Sequence, residues 1–153
     1  MEDSATPLPI ELRLALRELG CVRTYQPGST LFAAGASSEG VYLVEQGAVK
    51  IELSSSKHKQ VLSMAGPGAL LGLGVAVTGD SHKFKAVANG QCVIWFVPRQ
   101  EFLQFLRGNQ ECCMQIVRLL SEDLHTLYHR FQSEPGLNSR ARRRKTGGSA
   151  RPN

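Results

Sequence analysis

The 153-residue chain is long enough for one domain, and its 42% hydrophobic and 20% charged residues exclude wholesale disorder and a fibrous fold. The formal net charge of +5 belongs to one end: all thirteen acidic residues lie at or before Glu134, and six of the eighteen basic ones (Arg140, Arg142, Arg143, Arg144, Lys145, Arg151) follow it. The body, with twelve basic against thirteen acidic residues, has no general reason to bind nucleic acid.

The N-terminus lacks the basic-then-apolar pattern of a signal peptide, and no apolar run reaches the roughly 18 to 20 residues that span a bilayer, so a cytoplasmic location without membrane contact is expected. Ile10, Leu12, Leu14, Leu16 and Leu19 are spread among charged residues before Gly20, which predicts a short helix over Ile10 to Leu19. From Cys21 to Pro98 brief apolar stretches alternate with turn residues. Strands are predicted at Val41 to Val44, Val49 to Leu53, Gln60 to Met64, Phe84 to Ala88 and Cys92 to Val97, the last buried on both faces because it is continuously apolar. Many short strands argue for a sandwich or barrel.

Beyond Arg99 the period becomes helical. Cys113, Val117, Leu120, Leu124, Leu127 and Phe131 follow one another at alternating steps of four and three, a heptad seam within a helix over Glu111 to Phe131. A 3.5-residue period suits helix-on-helix packing and so a homodimer interface; the alternative is a helix packed on its own β body. Ser133 to Gly136 end the helix, and the rest is polar, Gly-rich and basic, too poor in apolar groups to fold. The expected organisation is therefore an N-terminal segment and short helix (1–20), a β body (21–98), C-terminal helices (99–133) and a disordered basic tail (134–153).

The order of Gly28, Leu31, Phe32, Gly35, Tyr42, Leu43, Val44, Gly47, Val49, Pro67, Gly68, Leu71 and Gly72 resembles the effector domain of the catabolite-activator and fumarate-nitrate-regulator (Crp/Fnr-like) family, over about residues 20 to 131. The resemblance implies a mainly β fold, a double-stranded β-helix or jelly roll, flanked by a short N-terminal helix and a long C-terminal dimerisation helix. It also implies a site for a cyclic nucleotide (cAMP or cGMP) or another small anion, with no other cofactor.

In family members that bind cyclic nucleotides, the stretch after a Pro-Gly turn resembles F-G-E-x-A-L, a loop, then R-x-A. The glutamate accepts a ribose hydroxyl and the arginine neutralises the cyclic phosphate, helped by backbone N–H groups of the turn. The matching segment here is Leu71-Gly72-Leu73-Gly74-Val75-Ala76-Val77. Leu73 stands where the glutamate is expected, and the arginine position falls on His82 or Lys83, followed by Phe84. The phosphate cassette is thus divergent. Loss of a charged hydrogen bond of about 1.5 to 3 kcal/mol weakens cyclic-nucleotide binding tenfold or more.

Other chemistry finds little support. His125 and His129 stand four apart but lack the glutamate of a zinc-protease helix, no H-x-H occurs, and the cysteines (Cys21, Cys92, Cys112, Cys113) show no C-x-x-C spacing. No metal site and no enzymatic role are expected. The residues after Phe131 are too few, and of the wrong composition, for a helix-turn-helix domain. The expected role is a stand-alone sensor that shifts its long helix on ligand binding and signals to a regulatory protein partner. The alternatives are a ligand-free interaction module, or a transcription regulator making weak nucleic-acid contact through the basic tail.

Overall fold

The computed structural model describes the backbone of residues 8–54 and 59–133 and the side chains of residues 8–53 and 60–121. The expectations for residues 134–153, for His58, His125 and His129, and for the side chains of Leu124, Leu127 and Phe131 lie outside the described residues.

The elements in chain order are α1 (Ile10–Leu19), β1 (Cys21–Tyr25), β2 (Thr30–Phe32), β3 (Gly40–Ser54), β4 (Lys59–Ala65), β5 (Leu70–Leu71), α2 (Leu73–Thr78), β6 (Lys85–Pro98), α3 (Arg99–Gly108) and α4 (Gln110–Ser133). The predicted first helix is present with its stop at Gly20, and Leu12 and Leu16, one turn apart, form its buried stripe. β1, β6, β3 and β4 lie side by side in that order, with β2 against β6 and β5 against β3, and the strands pair antiparallel. This is the jelly-roll fold with an N-terminal helix that the family resemblance implied.

Two pairs of predicted strands turn out to be continuous. Val41 to Val44 and Val49 to Leu53 belong to the single strand β3, and Phe84 to Ala88, which the observed strand enters one residue later at Lys85, and Cys92 to Val97 belong to the single strand β6. The intervening glycines bend these strands instead of ending them. The register runs from Gly40↔Pro98 to Glu52↔Lys85 and shifts on both sides of Gln46. At this corner Gly47 has φ +91°, and a Cβ there would lie 2.5 Å from the Gln91 carbonyl oxygen and 2.9 Å from Cys92 Sγ. Only glycine supplies both the left-handed backbone and the missing side chain.

The bent ribbon separates two cores. Inside the roll, Leu31, Tyr42, Val44, Val49, Leu71, Cys92, Ile94 and Phe96 pack together. On the helix side, Leu8, Leu12, Leu16, Val41, Leu43, Val97, Phe102, Ile116 and Leu119 form the second. Val41-Tyr42-Leu43-Val44 therefore alternates between two apolar environments, which is why it reads as a continuous run.

Beyond Pro98 the chain is helical, but Asn109 divides it into α3 and α4. The compact unit that holds the roll ends at Leu120; within residues 121–153 the described backbone, to Ser133, is helical. No helix among the described residues is long and apolar enough to cross a membrane.

Candidate ligand-binding site

The segment that the sequence singles out, Leu71 to Phe84, wraps around one end of the roll. Leu71 pairs with Tyr42 and belongs to the interior core. Gly72 then takes φ +79° as the N-terminal flank of α2, beside the roll: a Cβ on it would lie 3.3 Å from the Gly40 carbonyl oxygen, 3.5 Å from His82 Cε1 and 3.7 Å from Tyr42 Cδ1. That turn sends the next side chain to the other core. Leu73 is buried with Val41, Leu43, Ala76 and Phe102 on the helix side, whereas Leu71 and Tyr42 lie in the interior core. Gly74 is exposed.

After α2 the chain returns through Gly79, at φ +85°, and Ser81 bridges to Ser37. His82 N–H donates to the Ala36 carbonyl at 2.9 Å, and the His82 carbonyl accepts from Gly35 N–H at 2.7 Å. These two bonds fix which way successive side chains point. His82 turns inward and is 5% exposed, whereas Lys83 and Phe84 are exposed. Of the two residues at the arginine position, the histidine is the one at the roll's interior.

The imidazole stacks on Phe32, with ring centroids 3.8 Å apart and planes 14° from parallel. Phe32 lies 5.4 Å from Tyr42, and Tyr42 lies 5.0 Å from Phe96, each at a tilt. At the far end Arg23 sits over Phe96, its Cζ 3.8 Å from the ring centroid, and Nη1 donates to Tyr25 Oη at 3.3 Å. One row of rings thus connects His82 to Arg23. His82 Nε2 is buried without a hydrogen-bond partner. Burial lowers the His82 pKa below its ordinary value of 6.5, against the opposing influence of Glu39, so the ring is neutral at pH 7. The Tyr42 phenol is pushed up to about 12 by burial, then by Tyr25 and Glu39, with Arg23 opposing. The ring row holds a neutral imidazole and a neutral phenol, with the Arg23 cation at its far end.

Three participants were not marked by sequence spacing. Phe32 and Tyr42 occur in the family-like motif only as apolar residues. Arg99 donates from Nε to the Ala76 carbonyl at 2.8 Å, while its own N–H donates to the Glu39 carbonyl at 2.9 Å. It ties the carbonyl end of α2 to the start of α3, where a cation also suits the helix dipole. The partners are 23 residues apart, beyond any local pattern.

The predicted seam divides along α4. Ile116 and Leu119, which the seam omits, are buried in the helix-side core, with Cys112 and Leu120 packed against it. Val117 is exposed and Cys113 half-buried.

Comparison with known proteins fits this geometry. A family model described as the cyclic nucleotide-binding domain matches residues 22–109. A candidate cyclic nucleotide binding protein from Ruegeria pomeroyi is 25% identical, with a TM-score of 0.63 over 82% of this chain and 56% of that one. The chain thus spans just over half the length of that relative. The Thermus thermophilus catabolite activator protein is 22% identical, with a TM-score of 0.62 over 88% of this chain and 60% of that one. A transcriptional regulator from Thermotoga maritima, 18% identical, has a TM-score of 0.71 over 77% of this chain and 93% of that one. No curated protein matches the chain. Matched over more than half its length by the family model, and folded as a jelly roll around the segment that carries the motif, the chain belongs to the cyclic nucleotide-binding domain family.

Proposed function

We propose that this domain is a small-ligand sensor whose site is the Gly72–His82 end of the roll, with cyclic-nucleotide affinity reduced by its altered cassette. One observation carries the reading. A buried imidazole with an unpartnered Nε2 stands beside Gly72, at the position where the family resemblance expects the phosphate-binding arginine. Phe32 and Gly72 border it, Leu71 precedes Gly72 in the interior core, and Gly74, Lys83 and Phe84 are exposed in the same segment. No carboxylate replaces the ribose-binding glutamate in Leu71 to Val77.

Signal passes by population shift. A ligand that binds one placement of α2 better than another biases that placement, and Arg99 links α2 to α3 and so to α4. The seam Cys113, Val117, Leu120, Leu124, Leu127 and Phe131 supports dimerisation through α4 as the readout, with Leu124→Arg expected to give a folded monomer by light scattering. Contact of the basic residues 140–145 with nucleic acid would be weak and salt-sensitive, and lost on deleting residues 136–153.

The test is a thermal-shift titration with cAMP and cGMP, using the noncyclic monophosphates as controls. Ligand at 100 times its dissociation constant adds about 2.7 kcal/mol of stability, a readily seen shift. A saturable, cyclic-specific shift at high micromolar to millimolar ligand supports the reading. No shift with any of the four turns the assignment toward a ligand-free interaction module.

A further inference from the structure

His82 is held on two sides. Its ring lies flat against Phe32 at 3.8 Å, its Cε1 faces Gly72, and its backbone is pinned by the bonds to Gly35 and Ala36. Yet Nε2 has neither a hydrogen-bond partner nor contact with solvent. An apolar ring would fill this space without leaving a polar atom unpaired. An arginine would carry its charge into this buried position at every pH, whereas an imidazole can sit there uncharged and become a cation on demand.

The groups around it are few. Glu39, from the stretch before β3, favours the protonated ring, and burial outweighs it. Tyr42 of β3 is held neutral by its own burial. Phe32 from β2 and Gly72 before α2 bring no charge, and on the loop that carries His82, Asp80 and Lys83 are exposed.

We propose that the site takes up a singly charged oxyanion together with one proton, so that His82 enters the complex as an imidazolium whose Nε2–H donates to a ligand oxygen. The inference rests on reading this end of the roll as a ligand site. The proton comes from solvent and adds to whichever ring nitrogen is bare, and no bond of the ligand changes. Imidazolium and oxyanion form a neutral pair, so the buried site gains no net charge on binding. The bound anion raises the His82 pKa above its value in the free protein. Between those two values affinity rises as pH falls, by about tenfold per pH unit.

Isothermal titration of the full chain at pH 6.5, 7.0 and 7.5, in two buffers of different ionisation heat, tests this with cAMP as a phosphodiester and, separately, phenylacetate as a carboxylate. The expected result with one or both probes is close to one proton taken up per ligand and tighter binding at lower pH. His82→Gln, which keeps a hydrogen-bond donor but cannot titrate, should bind with no proton uptake and no pH dependence. The proton count on the unaltered chain decides the matter even if that variant folds poorly. Binding that is equally tight across the range without proton uptake overturns this inference and leaves the ligand site standing. Failure of both probes to bind at pH 6.5 overturns both readings.

Discussion

His82 makes a prediction that needs no ligand. The unfolded chain protonates this imidazole near its ordinary pKa of about 6.5, while burial keeps the folded one neutral to lower pH. The stability associated with the neutral ring is therefore fully present above about pH 6.5 and declines as pH falls through that value toward the folded-state pKa. His82→Phe keeps a ring on Phe32 but removes the orphaned nitrogen. It should raise stability at pH 7.5 by about 1 kcal/mol and flatten the decline toward pH 5.5. Urea denaturation at the two pH values measures both, and identical pH slopes in the two proteins would count against a neutral buried imidazole. Leu73 carries a second prediction. Because it lies in the helix-side core, Leu73→Glu buries an unpaired carboxylate among Val41, Leu43 and Phe102, with an expected loss of about 3 kcal/mol or more. A stable variant with improved cAMP binding would contradict that placement.

At the scale of elements, the corner between the halves of β3 and β6 is the least replaceable feature. Gly47→Ala forces a Cβ into the left-handed region and within 2.5 Å of the Gln91 carbonyl oxygen, so a loss of about 2 kcal/mol or more is expected in chemical denaturation. Much of this architecture was legible in the sequence. Leucines at helical spacing with Gly20 behind them marked α1, and the unbroken run from Cys92 to Val97 marked a strand, although the face that carries Val93 and Trp95 is only partly buried and not closed over as expected. The joins were not legible, because a glycine between apolar runs looks the same whether the strand bends or ends. β1, with Val22 and Thr24 exposed and Arg23 partly buried, had no clean apolar face to read. β5 is two residues long and exists only through its pairing with Tyr42 and Leu43. The site was legible as a segment but not as a geometry. Whether His82 or Lys83 turns inward depends on bonds to Gly35 and Ala36, more than forty residues earlier in the chain.

At the scale of the molecule, the roll and its helices share one boundary, and α4 begins in it. Ile116→Ala removes a residue 2% exposed from the helix-side core and should cost about 2 to 4 kcal/mol, whereas Val117→Ala, at 46% exposure, should change the folding stability of the protomer by less than about 0.5 kcal/mol. Equal losses in denaturation of the dilute protein would mean that α4 is seated differently. The long ladder between β3 and β6 also governs how the chain is made. It pairs Glu52 with Lys85 and Gly40 with Pro98, so no part of it closes through a local turn; ahead of β6, β3 has β4 and, at Tyr42 and Leu43, the two residues of β5 to pair with. During synthesis, the edge of Val41 to Val44 that pairs with β6 stays open, in a segment apolar on both faces, until the last residues of β6 have left the ribosome. Such a delay favours slow folding and pairing with the wrong chain. The doubly buried ribbon that secures the finished roll is thus also the part of the nascent protein most in need of protection.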